Sequence, residues 1–302
     1  MTLKCALATA VLAASSMVSC RAQPAGAAAA ATWRHAYSDT LDQPYGWLSL
    51  VALEWLEPGQ TTVGSAADNK LKLDHVPAHL GTFSLVKGVN STGERVEFTP
   101  APGLVGLKLE NLAAGGGVVG ADDSEHPTAI RDDDVLITII HRGDRFYLRV
   151  KDAMGKARLH FHGLRWYAYD PAWRLTAKWV PTQGSSLRIV NVLGQASTEP
   201  VDGYAEFMVD GKPYKLTPTV ENGQLFFVMR DLTARTTTDG AGRFLLVPPP
   251  SNGFSSPGTV VLDFNYAHNP PCGYTPYATC PLPPPENRLA LAIPAGEKRY
   301  DE

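Results

Sequence analysis

Along most of this chain apolar and polar residues alternate with a period of two, the spacing that puts every second side chain on one face of a strand. The clearest run is Val135-Leu136-Ile137-Thr138-Ile139-Ile140, interrupted by Arg142-Gly143-Asp144 and resumed as Phe146-Tyr147-Leu148-Arg149-Val150, which predicts a hairpin. Tyr204–Val209 and Pro213–Leu216 predict a second, because the Asp210-Gly211 between them tolerates the positive φ angles of a tight turn. Further short strands are predicted at Thr61–Val63, Leu71–Leu73, Thr82–Val86, Arg95–Phe98, Leu104–Leu109, Arg174–Val180, Leu187–Val192, Gln224–Met229, Arg243–Val247 and Thr259–Phe264. Gly, Pro, Asn and Asp separate them. Only Thr32–Leu41 has a helical pattern. Many short strands at turn-punctuated intervals point to an all-β protein of β-sandwich or partly closed barrel lobes.

The first twenty residues depart from this pattern. A single lysine, Lys4, is followed by small and apolar residues without an acid, as in a secretory signal. The apolar stretch Cys5–Val18 falls short of the roughly 20 residues that cross a bilayer. The run Met17-Val18-Ser19-Cys20 resembles a bacterial lipobox, which implies acylation of Cys20, although Met17 stands where leucine is usual. Cleavage in the alanine run Ala27–Ala31, leaving a soluble periplasmic protein, is the competing reading. Residues 21–32, mostly Ala, Gly, Pro and Gln, read as a flexible tether. About 280 residues then remain, enough for two small β lobes. The division is expected between Asp152 and Gly163, giving lobes over residues 33–158 and 159–302.

Charge and cysteine content narrow the partners. The formal net charge is −3 with both signs scattered, and no Lys/Arg-rich run suggests a nucleic-acid partner. Membrane association is expected only through the N-terminal anchor. Once Cys5 leaves with the signal and Cys20 is acylated, Cys272 and Cys280 remain, and in an oxidising compartment such a pair is expected to form a disulfide.

Several segments invite chemistry. Thr61–Ser65, Asp68–Leu73 and Pro77–Phe83 together resemble the front of a forkhead-associated β-sandwich over about forty residues. Ser65, however, stands where that family places its phosphate-binding arginine, and Val76 where a serine would precede His79. The resemblance therefore implies fold but not phosphopeptide binding, which needs a guanidinium fork. His160-Phe161-His162 would place two imidazoles on one face of a strand, yet no third ligand follows at a recognisable spacing, and no metal or cofactor is expected. Trp166, Tyr167, Tyr169, Trp173 and Trp179 suit either the filling of a core or the stacking of a sugar ring.

The last seventy residues are the most distinctive. They hold Arg230-Asp231-Leu232-Thr233, Gly240–Leu245, the run Leu262-Asp263-Phe264-Asn265-Tyr266-Ala267-His268-Asn269-Pro270-Pro271-Cys272, then Tyr277–Leu289 and Ala295-Gly296-Glu297-Lys298. With Gly46–Val51 and Phe161–Leu164, these resemble domain-of-unknown-function family 1684, although Thr236-Thr237-Thr238-Asp239 lacks the tyrosine usual after threonine there. The resemblance implies no activity, cofactor or catalytic residue. Read physically, Asp231, Arg243, Asp263, Asn265, Asn269, Asn287 and Arg288 are the candidate ligand-binding groups. A hydrolase reading pairs Asp263 with Glu286 as acid and base, with Arg243 or Arg288 steadying negative charge. A plainer reading makes the same groups structural clasps, since a coil with seven prolines between Pro270 and Pro285 needs side chains to satisfy its backbone. No Gly-x-Ser-x-Gly or His-Glu-x-x-His motif supplies a nucleophile or metal. The sequence thus leaves open an exported lipoprotein that binds a small molecule or envelope partner through its C-terminal polar loop, a hydrolase, and a purely structural envelope protein.

Overall fold

The computed structural model describes residues 26–87 and 93–300; the signal segment and Cys20 lie outside them. The architecture is all-β, and among the described residues no sheet closes into a barrel. In the N-terminal lobe one sheet orders strands Leu50–Trp55, Arg145–Asp152, Val135–Arg142, Ala129–Asp132 and Lys108–Glu110, every pair antiparallel. The second orders Leu71–Lys72, Gly59–Gly64, Gly81–Val86, Arg95–Pro100 and Gly117–Val119, with a parallel first pair. Period-two alternation turns Phe83, Val96 and Phe98 of one sheet toward Ile137, Ile139 and Leu148 of the other. Those side chains form one dry sandwich core, each contributing roughly 1.5–3 kcal/mol through burial.

The C-terminal lobe is built on one long irregular strand, Arg174–Asn191, flanked by Ala196–Val209 and Gly258–Asp263, with Lys212–Leu216 beyond. Two separate strands were expected over this stretch; they are continuous, with a shift of register between Pro181 and Ser185. A three-stranded sheet, Thr219–Glu221, Gln224–Met229 and Arg243–Val247, packs across it. Between them lie Trp179, Phe207, Phe227, Leu245 and Phe264. Trp179 is fully buried and its indole N–H donates to Phe254 O at 2.8 Å, so this aromatic fills the core.

Three local expectations are corrected. The helix starts at Ala27, not Thr32, and runs to Leu41, so residues 27–32 are helical rather than a tether; alanine has the highest helix propensity, and Ala30 is buried in the C-terminal core. The helix belongs to that lobe by contact: Trp33 meets Tyr266 and Trp166 edge-on, and Arg34 donates to Tyr167 O and Asn265 O. His160 and His162 are not on a strand. Gly155 opens a helical turn, Lys156–Leu159, and His160 caps it, with Nδ1 2.9 Å from Lys156 O. Finally, strand pairing over Leu104–Leu109 is confined to Lys108–Glu110.

Candidate functional site

The signature residues form three buried polar clasps. Gly258–Asp263 delivers Asp263 beside its cross-strand partner Arg174, whose Nη1 donates to Asp263 Oδ2 at 2.8 Å. The strand ends there in a 3-10 turn, and Asn265 turns back so that its N–H and its Nδ2 both donate to Asp263 Oδ1. The same amide exchanges hydrogen bonds with the backbone of Asp170, so it staples two loops together.

Arg243 is 1 % exposed and pairs with Asp231, Nη2 to Oδ2 at 2.5 Å, while Nη2 also donates to Ile293 O and Nη1 to Ala295 O. Gly242 precedes it at φ +103°, where an added Cβ would lie 2.5 Å from Met229 O; only glycine brings the arginine in at this angle. Asn287 satisfies both edges of its amide on Thr217 and Val228.

The third clasp centres on a residue that the sequence reading did not single out. Glu297, fully buried, accepts from the Asn269 N–H and Nδ2 at 2.8 Å each and from the Tyr274 hydroxyl at 2.7–2.8 Å. Burial pushes its carboxyl up to about 8, against the opposing pull of these donors and of Arg243. Tyr37 OH lies 3.3 Å from Tyr274 OH and donates to Asn269 O, tying in the N-terminal helix. Neighbouring His268 is buried, and desolvation lowers it to about 4, so it is neutral. Glu297 was visible only as the third residue of Ala295-Gly296-Glu297-Lys298; its partners lie 23 and 28 positions away.

This geometry overturns the proposed acid–base pair. Asp263 is fully buried and occupied by Arg174, whereas Glu286 sits on an exposed 3-10 turn and makes no hydrogen bond or ion pair among the described residues. Arg243 faces Asp231 rather than either. Proline at the first position opens that turn, and Glu286, next to it, is exposed. Asp231, Asp263, Asn265, Asn269, Asn287 and Arg243 therefore hold the fold, and among the candidate ligand-binding residues only Arg288 is exposed. Cys272 and Cys280 are adjacent free thiols, not a disulfide; the Cys272 N–H points at Cys280 Sγ, 3.2 Å away.

Accessible chemistry lies instead in a cleft of about 520 Å³ between the lobes. One wall is the start of strand Leu50–Trp55 with the turn that follows Asp152; another is Lys72–His75; the third is Tyr274–Tyr277 of the C-terminal proline-rich loop. Thr275 Oγ1 donates to Leu50 O and fastens that loop to the N-terminal lobe. His75, at φ +56°, holds a left-handed backbone that non-glycine residues seldom adopt. Its Nδ1 meets Asp152 Oδ2 at 2.7 Å, and the Met154 N–H fixes the other carboxylate oxygen. The hydrogen bond to Asp152, then its charge, raises the imidazole above the ordinary histidine value. Nothing in the sequence pattern placed residues 75 and 152 together, because a 77-residue separation is closed only by the sandwich.

Comparison with known proteins bears on the C-terminal lobe. Residues 159–298 match the family described as Protein of unknown function (DUF1684); Gly46–Val51, which also resembles that family, lies outside the matched segment. Among solved structures, an uncharacterised protein of Haloarcula marismortui determined by solution NMR is 28 % identical, with 47 % of this chain and 78 % of that one covered and a TM-score of 0.39. A search of curated proteins returned no match. The segment similar to that family, residues 159–298, carries all three clasps and the third wall of the cleft.

Proposed function

We propose that this protein is exported and held at the bacterial envelope by an acyl group on Cys20, and that it binds a small molecule in the cleft between its lobes. The observation that carries the binding reading is the His75–Asp152 pair at the edge of a partly apolar cleft walled by the family's C-terminal loop. Leu50, Val51, Leu73, Met154 and Tyr277 offer the ligand an apolar surface. Asp152 is spoken for by His75 and by the Met154 N–H, which leaves Lys72, Lys156 and the imidazole facing Asp74. That balance favours an apolar body with an acidic head.

Ligand-observed NMR of the protein against small carboxylates and phosphates, with His75→Ala and Tyr277→Ala as controls, tests the reading. Binding that weakens in both variants supports it; no compound whose binding depends on either residue sinks it. The anchor is tested separately by detergent phase partitioning. The wild type should enter the detergent phase and Cys20→Ser the aqueous one.

One observation favours a second reading. With Nδ1–H donated to a buried carboxylate, a neutral His75 would keep Nε2 as an acceptor, the arrangement of a general base. Hydrolytic chemistry, if the cleft performs any, falls to His75 and Asp152 rather than to Asp263 and Glu286.

A further inference from the structure

Outside the cleft, three arginines converge without an acid to balance them. The backbone from Arg230 to Leu232 runs parallel to that from Asn287 to Leu291: Arg230 N–H donates to Asn287 O, Leu289 N–H to Arg230 O at 2.7 Å, and Leu232 N–H to Leu291 O. Arg230 and Arg288 are bridge partners in this short ladder, so their side chains leave on the same face. Arg235 joins them from the turn that follows, which Thr233 closes by accepting from the N–H groups of Thr236, Thr237 and Thr238. Its backbone is left-handed at φ +67°, and its stem lies against Gly240, where an added Cβ would come within 3.1 Å of Arg235 Cγ.

Two adjoining depressions, of about 380 and 420 Å³, share Arg230 and Arg288 as lining; Arg235 lines the first and Leu232 the second. Among the described residues none of the three guanidinium groups forms an ion pair; Arg288 uses only Nε, on Pro283 O. The single carboxylate bordering the depressions, Asp231, is buried and spent on Arg243, Thr233 and the Ile293 N–H. Beside the arginines Leu232 stands 64 % exposed.

From this juxtaposition we infer that Arg230, Arg235 and Arg288 form an anion-binding site for a phosphate or phosphomonoester, with Leu232 alongside its organic part. A guanidinium presents paired N–H donors that match two oxygens of a tetrahedral oxyanion, and three of them meet a dianion without a competing carboxylate. The site shares no lining residue with the interlobe cleft and stands independently of the binding proposed there.

The test uses the full chain carrying Cys20→Ser, so that no acyl group contributes. Phenyl phosphate and inorganic phosphate are titrated calorimetrically at constant ionic strength, and flotation is measured with phosphatidylcholine vesicles with and without phosphatidic acid. The expected result is saturable phosphate binding that weakens about tenfold or more in Arg230→Gln/Arg288→Gln. Arg235→Gln, on an exposed turn, should weaken it too, and serves if the double variant misfolds. Flotation that requires both phosphatidic acid and the arginines identifies a lipid headgroup as the source; phenyl phosphate binding without flotation identifies a soluble phosphoester. Neither soluble phosphate nor phosphatidic acid vesicles binding the protein, or binding that folded variants retain in full, overturns the site.

Discussion

The hydroxyl of Tyr274 lies within 2.8 Å of both carboxyl oxygens of Glu297, and the same tyrosine helps to line the cleft between the lobes. A buried, protonatable group thus stands directly behind the wall of the proposed ligand site. Because burial raises Glu297 to about 8 from an ordinary 4.5, the folded protein keeps a proton that the unfolded chain releases. Stability from this group is complete below about pH 4.5 and is lost as pH rises toward 8.

The first prediction follows from that sign. Melting temperature should fall between pH 6.5 and 8, where each proton retained by the fold alone contributes a slope of about 1.4 kcal/mol per pH unit. The exposed His75, also raised, adds a fall of the same sign. Glu297→Gln should flatten most of it, and a variant that tracks the wild type across this window would refute the assignment. His268, lowered to about 4 from 6.5, acts oppositely: its stabilisation is present above 6.5 and disappears as pH falls toward 4.

The Arg243–Asp231 clasp should behave as architecture. Removing one partner strands a buried charge, so Asp231→Ala or Arg243→Met should cost about 3–5 kcal/mol in denaturant unfolding. An unchanged unfolding midpoint in either variant would show that the pair is dispensable.

For the cleft, Asp152→Asn removes the carboxylate whose hydrogen bond, and then charge, raises His75. An NMR titration should then find the His75 imidazole at a lower pKa than in the wild type. If the two titrations coincide, the pair does not operate as described.

If the protein is exported as proposed, the neighbouring free thiols of Cys272 and Cys280 should oxidise to a disulfide. We expect the protein recovered from an oxidising compartment to contain no free thiol on denaturation, and its reduction to lower stability by about 2–3 kcal/mol, as closure of so short a loop implies. Full reactivity of both thiols in freshly exported protein would be the contrary finding.

The hairpins were legible because their causes are local. Val209 and Lys212 pair across Asp210-Gly211, both at positive φ as that dipeptide permits, and Arg142 pairs with Arg145 across Gly143-Asp144. Long-range closure was not legible. Alternation marked Asp263 as facing one side of a strand, but only the packed sheets show that Arg174, 89 residues earlier, is its partner and that Glu286 stands apart. His75 and Glu297 escaped notice for the same reason, since a single histidine or glutamate has no period to betray it. The N-terminal helix was shortened because an alanine run lacks the polar face that marks an amphipathic helix, yet small side chains are what let it lie against the C-terminal core.

That helix has a consequence for how the molecule would stand on a membrane. Just before it the Gly26 N–H donates to the Tyr169 hydroxyl, and Ala30 is buried in the C-terminal core, so an acyl chain on Cys20 would have only the few intervening residues as a leash, at most about 22 Å when fully extended. The C-terminal lobe, rather than the N-terminal sandwich, would then ride closest to the bilayer surface. The protein would not roam through the periplasm on a string but would stand on its C-terminal lobe, with its range of orientations restricted by the docked helix.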